Sequence, residues 1–420
     1  MRNLLLWIVC AFSLSSFGQI EEVRRITETL CSPEFHGRGY VNRGDSIAAA
    51  FIASEFQKLD VESYGDSYFQ PFTLNVNTFP GDMSISHNGN ELIPGQDFVI
   101  HHSSVGGQET INALSIPDDR VLDVDFIKDA ISKVRGGSAE NAILFDLSAL
   151  TGDTLKEVRG LSYEVATIVP VIQVVNEKFT WSVSQMPETF LFLQIQDSVV
   201  NKSAPFEVSI ESKHIKDYPS QNVMAYIPSK GSCAKTIVFT AHYDHLGRMG
   251  RDTYFPGAND NASGTAMLLT MAKYFKENPS KYNILFIAFG GEEAGLVGSK
   301  YFVENTPIKL KKIKFLVNLD IMGSGEEGIT VVNATLFEKE FELLQSISAE
   351  NDLLAKVKKR GPAANSDHYW FTEAGVPAFF IYTMGPNKHY HDVFDTYEEL
   401  SFNEYDDITT LLIDFVKLLK

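Results

Sequence analysis

Five short polar segments of the sequence carry histidine and carboxylate residues, the side chains that bind divalent metal ions and transfer protons. Glu292 and Glu293 are adjacent in FGGEEAG, and His242 and Asp244 stand two residues apart in AHYDH. Adjacent carboxylates repel unless a cation or a shared proton lies between them. The pair therefore predicts that Glu293 binds a metal ion and that Glu292 takes a proton from the water the ion activates. A structural alternative is acidic stabilisation of a helix N-terminus.

His242 is a candidate ligand, and Asp244 is placed to fix the tautomer of its imidazole. An isolated pair of this kind is also typical of a salt-linked surface histidine, and His245 in the same segment has no such partner. We leave His245 unassigned.

The remaining segments offer further ligand candidates. Asp260 lies in the loop GANDNASG, where its carboxylate could bridge two cations, although capping of the following helix also explains polar residues there. Asp320 ends the apolar run FLVNLD, an unfavourable place for an unpaired carboxylate. HYHDVFDT contains His389 and His391. These nitrogen and oxygen donors suit zinc in a site that keeps positions open for water.

The cysteines exclude a thiolate zinc site. Only Cys31 and Cys233 lie beyond the first 19 residues, and they could form at most one disulfide. Two metal ions held by histidine and carboxylates, about 3.5–4 Å apart, could polarise a carbonyl and activate water.

The elements that must position these residues are apolar strands alternating with longer helical patterns, from about residue 222 onward. They predict a sheet covered by helices on both faces, and we expect a three-layer α/β/α sandwich around a mixed, mostly parallel sheet. Short alternating runs after Phe69 predict a β-rich inserted domain. The polar segments follow predicted strands such as KTIVFTAHYD and NILFIAFGG. In open α/β sheets the ligand crevice lies at the carboxyl ends of the strands. The candidate residues are therefore expected to meet at one edge of the sheet.

We divide the chain into four parts. Residues 1–19 combine Arg2, an apolar run and small polar residues, a pattern typical of a secretory signal peptide. Residues 20–79 form an N-terminal helical part of the catalytic domain, 80–205 the β-rich insertion, and 206–420 the rest of the catalytic domain. The mature protein is expected in a periplasm or outside the cell, without a membrane span.

A formal net charge of -18 and a pI near 5.0 argue against a nucleic-acid partner, because phosphate binding requires a basic surface. The sequence does not determine the oligomeric state.

Together the segments AHYDHLG, GANDNASG, FGGEEAGLVGS, NLDIMG, SDHYWFTEAGVPA and HYHDVFDT resemble metallopeptidase family 28, in that family's order. This family comprises co-catalytic zinc exopeptidases, including leucyl aminopeptidases and glutamate carboxypeptidase. The resemblance implies two zinc ions bridged by one carboxylate, with a glutamate as general base. The implied bridge is Asp260; Glu293 and His391 complete one site; His242 and Asp320 complete the other; Glu292 is the base and Asp244 orients His242.

The same resemblance selects His391 over His389, because the family pattern places Asp-Thr four and five residues after the ligand, as Asp395 and Thr396 are here. It also implies that residues 80–205 are a protease-associated domain. One departure is the segment GPAANSDH, which lacks a tyrosine that some members use near the transition state.

The function expected on this basis is hydrolysis of the first peptide bond of substrates with a free amino terminus. Glutaminyl-peptide cyclisation and carboxypeptidase action on the same fold are alternatives. For the cyclase, Tyr390 stands where such enzymes often have a tryptophan. A further alternative is a binding protein without catalytic activity, which would lack zinc or fail to activate water.

Overall fold

The computed structural model describes residues 20–231 and 235–420. The predicted signal peptide and Cys233 lie outside these ranges, whereas Cys31 is buried. Among the described residues, none of the helices combines the length and the apolar character that crossing a membrane requires.

A nine-stranded mixed sheet forms the centre of the molecule. Its four inner strands run parallel, and almost all of their residues are buried, as expected for strands covered on both faces. The strand Phe69–Thr78 pairs antiparallel with one end of Lys213–Ile227. Across the sheet the other strands follow the order Glu62–Ser63, Lys213–Ile227, Asn283–Phe289, Thr236–His242, Ile313–Leu319, Ala378–Met384, Gly328–Val332 and Val357–Lys359.

Helices cover both faces of this sheet. Alternate residues of one strand point to opposite faces, so that Phe286 packs in one core and Leu285 in the other. The helices of this part are residues 20–31, Gly44–Lys58, Gly264–Glu277, Val297–Glu304, Glu338–Glu350, His368–Glu373 and Tyr405–Leu418. Of these, Val297–Glu304 and His368–Glu373 pack through Phe302 and Phe371 on the second core. The predicted three-layer α/β/α sandwich is confirmed.

The chain between Phe69–Thr78 and Lys213–Ile227 builds two smaller sheets. One has the order Phe98–Ile100, Phe192–Gln196, Val171–Val175, Ala142–Asp146 and Ala113–Ser115; the other has the order Asn90–Glu91, Met83–His87, Phe206–Ile210 and Gly107–Ile111. Two helices, Val124–Arg135 and Gly152–Ala166, accompany them. We call this part the inserted unit. The helices were not predicted from the sequence, and the boundaries at 80 and 205 stay a prediction.

Short elements complete the described structure. They are the hairpin Arg248–Met249 with Thr253–Tyr254, a wide turn at Ala258–Ser263, and the 3₁₀ turns Pro33–Arg38, Val41–Arg43, Asp118–Arg120, Asp197–Val199, Leu310–Lys312 and Tyr397–Glu399.

The parallel strands bring the polar segments to one edge of the main sheet. His242 ends its strand, Asp320 follows Leu319 directly, and Glu292 and Glu293 come after the Gly-Gly turn that follows Phe289. Because these strands point the same way, their carboxyl ends meet, and the turns that follow them share one crevice.

Candidate metal centre

The structure brings together the five residues predicted to bind metal. Asp260 lies in the middle, with Oδ1 3.3 Å from the Nε2 atom of His242 and Oδ2 3.1 Å from the Nε2 atom of His391. The Nε2 atom of His242 also lies 3.4 Å from an Asp320 oxygen, and that of His391 lies 3.2 Å from a Glu293 oxygen. One carboxylate thus separates two pairs, each made of a histidine and an acid.

The spacing within each pair fits the ligands of a small cation. Ligand atoms about 2.0–2.1 Å from a tetrahedral ion lie about 3.3 Å from one another. Donor atoms of His242, Asp260 and Asp320 all lie within 4.8 Å of one another. Moreover, the buried Oδ1 atom of Asp320 has no hydrogen-bond partner in the described structure. A buried carboxylate oxygen without a donor is costly unless a cation neutralises it.

Both histidines are held in the tautomer that binds metal through Nε2. The Nδ1 atom of His242 lies 3.1 Å from the backbone carbonyl of Asp244, and that of His391 lies 2.8 Å from the backbone carbonyl of Trp181. A carbonyl oxygen only accepts, so each Nδ1 must carry the hydrogen. The Nε2 lone pairs are then free to bind an ion.

Asp244 supports two segments at once. Its backbone carbonyl, as described, accepts from His242, whereas its carboxylate lies 3.9 Å from that ring. The carboxylate instead accepts the backbone N–H groups of Glu292 and Glu293, at 3.1 and 3.3 Å. Burial raises the pKa of Asp244 to about 7, opposed by the nearby His242. Asp244 therefore fixes the position of the adjacent glutamates as well as that of His242.

The loop that presents Asp260 is held by two charged residues from distant parts of the chain. The Asp395 carboxylate accepts the N–H groups of Asn259, at 2.9 and 3.1 Å, and of Asp260, at 3.0 Å. The fully buried Arg38 donates to the carbonyls of Pro256 and Gly257, each at 2.6 Å. These bonds leave the Asp260 carboxylate oriented toward the histidines.

Asp320 is supported through the sheet. Thr240 donates to the side chain of Asn318 at 2.6 Å, and Asn318 donates to Ser366 at 2.7 Å. Ser366 in turn donates to the second oxygen of Asp320, at 3.4 Å. This chain of polar groups orients the carboxylate while leaving the other oxygen available.

Glu292 differs from its neighbour in exposure and in charge state. It is partly accessible, and a donor atom of its side chain lies within 4.8 Å of donor atoms of His242 and Glu293. Burial of its carboxyl group raises the pKa of Glu292 well above the ordinary range, an effect that the nearby His242 opposes. Glu293 has the opposite shift: burial would raise its pKa, but His391 lowers it to about 2. The two acids therefore have different proton affinities, as a proton-transfer group and a ligand require.

His245, which the sequence left unassigned, lies at the site. It is fully buried, and its Nδ1 atom lies 2.7 Å from an oxygen of Glu293. Its donor atoms also lie within 4.8 Å of those of Asp260 and Glu293. The sequence signal that could have identified His245 was its position in AHYDH, one residue after Asp244. Arg38 was also missed, because nothing in its local sequence indicates which distant carbonyls it reaches.

Residues 222–416 match the model of Peptidase family M28. Aminopeptidase YwaD of Bacillus subtilis (strain 168) is 34% identical over 204 residues, which cover 46% of this chain and 44% of that protein. A probable zinc metalloprotease of Pyrenophora tritici-repentis is 26% identical over 278 residues, covering 55% of each. The chain thus spans about half the length of these curated relatives.

The solved structure of BSAP, a zinc aminopeptidase from Bacillus subtilis, superposes with a TM-score of 0.69 at 21% identity. The superposition covers 94% of this chain and 95% of that one. At this level of identity the similarity establishes the shared fold, including both the central sheet and the chain inserted into it.

Proposed function

We propose that this chain, whose residues 222–416 match the model of Peptidase family M28, is a zinc-dependent aminopeptidase that hydrolyses the first bond of peptides with a free amino terminus. The observation that carries the proposal is the position of Asp260, whose two oxygens lie 3.3 and 3.1 Å from the Nε2 atoms of two different histidines. A carboxylate in this position is suited to bridge two ions.

In this proposal Glu293 and His391 hold one zinc ion, His242 and Asp320 hold the other, and Asp260 binds both. When bound, the ions polarise the scissile carbonyl and lower the pKa of water. Asp244 fixes the positions of His242 and of the Glu292–Glu293 turn relative to each other through the contacts described above.

Glu292 acts as the general base in this scheme. Its raised pKa and partial exposure suit a group that takes a proton from the attacking water and then gives it to the leaving amine. Its buried neighbour Glu293, with its lowered pKa, is suited to remain ionised as a ligand.

A cavity of about 520 Å³ lies beside His391, within the inserted unit. Its lining combines His391 with residues of the inserted unit, including Tyr163, Glu177 and Trp181. Every lining residue other than His391 belongs to the inserted unit, so the cavity meets the metal centre only at His391. We also propose that residues 1–19 direct export, so that the substrates are periplasmic or extracellular peptides.

The test is hydrolysis of aminoacyl arylamides by purified protein, with the same compounds blocked at the amino group as controls and with bound zinc counted. We expect cleavage of the free-amine compounds only, about two zinc ions per chain, and a kcat about 10²–10⁴-fold lower in Glu292→Gln with unchanged zinc content. Bound zinc without cleavage would refute the aminopeptidase and leave cyclase or carboxypeptidase activity. Absence of zinc would favour a binding protein.

A further inference from the structure

His391 is less directly placed by the main sheet than His242 and Asp320 are. Residues 385–390 separate it from the strand Ala378–Met384, whereas His242 ends its own strand and Asp320 directly follows another. The backbone of His391 is left-handed, with φ near 55°. Side-chain-bearing residues adopt this conformation when their surroundings impose it. The loop that carries His391 therefore needs support from outside the sheet.

That support comes from residues 178–181 of the inserted unit, which we call the clamp. The backbone N–H of Trp181 donates to the carbonyl of His391 at 2.9 Å, and the His391 ring donates back to the carbonyl of Trp181. Lys178 adds three contacts of its own. Its Nζ atom lies 3.0 Å from the carbonyls of Lys388 and Tyr390 and 2.8 Å from the carboxylate of Asp392.

The clamp is fixed at its other side. The indole of Trp181 is buried, donates to the carbonyl of Ile100 at 2.6 Å and stacks on Phe255 with ring centroids 4.8 Å apart. Phe179 is also buried. The clamp therefore holds the loop in a fixed position relative to the inserted unit. Its buried aromatic side chains pack in a core, and its polar groups bind the backbone of the loop.

We propose that Lys178 is a positioning residue for the metal ion that His391 holds, so that the inserted unit completes one of the two ion sites. This inference rests on the proposed function, because it takes His391 as a ligand. Lys178 binds two carbonyls that precede His391 and the Asp392 carboxylate that follows it, and no other side chain donates to either carbonyl among the described hydrogen bonds. Losing these bonds leaves the hydrogen bonds with the Trp181 backbone as the remaining clamp contacts of His391, so its imidazole is held less firmly toward Asp260 and Glu293.

Removing Lys178 should spare the fold of the loop. Asp392 also accepts the backbone N–H of Phe394 at 2.9 Å and lies 3.5 Å from His389. The Trp181 backbone bonds to His391 do not depend on the side chain of Lys178. The variant Lys178→Met keeps the aliphatic stem and loses only the charged donor.

The test is titration of metal-free protein with zinc in competition with a chelator, which gives two stepwise dissociation constants. For Lys178→Met we expect one constant to rise by about tenfold or more, the usual effect of losing a partner that orients a ligand, while the other stays unchanged. Lys178→Arg, which keeps cationic donors, should restore much of the affinity.

The matched control is Lys202→Met. Lys202 belongs to the inserted unit and is exposed to the same extent as Lys178 (45% against 48%), but it pairs with Asp146 rather than with the loop. We expect both zinc constants of this variant to equal those of the wild type.

Three outcomes overturn the inference. Unchanged constants in Lys178→Met would show that the clamp does not position the ligand. An equal rise of both constants, together with a lower melting temperature of the metal-free protein, would show that Lys178 only stabilises the fold. A wild-type protein that binds fewer than two zinc ions would refute the proposed function, and this inference with it.

Discussion

We expect replacement of Arg38 by methionine to lower the stability of the catalytic domain and its affinity for metal together. The guanidinium of Arg38 is fully buried and donates to five backbone carbonyls. They belong to Leu30, Tyr243, Pro256, Gly257 and Asp260. These carbonyls come from three separate stretches of chain, one of them the loop of the proposed bridging carboxylate.

The magnitude follows from the hydrogen bonds that are lost. Four of the five lie between 2.6 and 3.0 Å, and the fifth, to Asp260, is longer at 3.3 Å. At about 1 kcal/mol for each of the four short bonds, the free energy of unfolding falls by about 4 kcal/mol. Methionine fills much of the same volume, so that the loss reflects the donors rather than a cavity. Lysine should not rescue the protein, because its three donors cannot reproduce the planar guanidinium.

The assay is equilibrium urea unfolding of the metal-free protein, with chelator competition for zinc measured on the same samples. Arg24→Met is the control, since Arg24 is only partly buried and donates at 3.0 Å to the carbonyl of Ser401. Its loss should cost about 1 kcal/mol or less. If Arg38→Met and Arg24→Met unfold within about 1 kcal/mol of each other, Arg38 does not hold these segments as we argue.

Two further predictions concern the ions and acid stability. Asp260→Asn should abolish binding of both zinc ions, whereas Asp320→Asn should weaken one, as counted by metal analysis after dialysis; equal stoichiometry in the two variants would contradict a bridging role for Asp260. In the inserted unit, burial lowers the pKa of His101 to about 3 and that of His102 to about 4. Since the unfolded histidines titrate near 6.5, the unfolded state binds more protons below that pH, and stability should fall as pH drops from 6.5 toward 4. Urea unfolding at several pH values should show a shallower decline for His101→Phe, and an identical decline would count against this explanation.

The sequence predicted those parts of the site that depend on local pattern. Buried parallel strands are continuous apolar runs, so their ends, and the polar residues just beyond them, could be located directly. The pattern of apolar runs alone therefore placed His242, Asp320 and the Glu292–Glu293 pair at one edge of the sheet. The apolar spacing of Val124–Arg135 and its N-cap Asp123 also indicate a helix, but the stronger strand patterns around this segment mask that signal.

The parts that could not be predicted depend on contacts between residues far apart in the sequence. Arg38 reaches carbonyls more than 200 positions away, and its left-handed backbone leaves no periodic signal. The clamp is similar, because Lys178 resembles any exposed lysine in the sequence and its role depends on the packing of the inserted unit against the His391 loop. No local propensity encodes such pairings.

The carboxylate charge of the site favours the proposed pair of ions over a single ion. Asp260, Glu292, Glu293 and Asp320 can carry four negative charges in a small, mostly buried space. Without metal this charge is relieved by protons, because burial raises the pKa of Glu292 and Asp320 while the histidines keep that of Asp260 and Glu293 low despite burial. Two Zn²⁺ ions would supply the same total of positive charge. Zinc must therefore displace these protons, so binding should weaken as the solution becomes more acidic. A single ion would neutralise only part of the carboxylate charge, and protons would have to neutralise the rest. A carboxylate that already holds such a proton could not act as a general base.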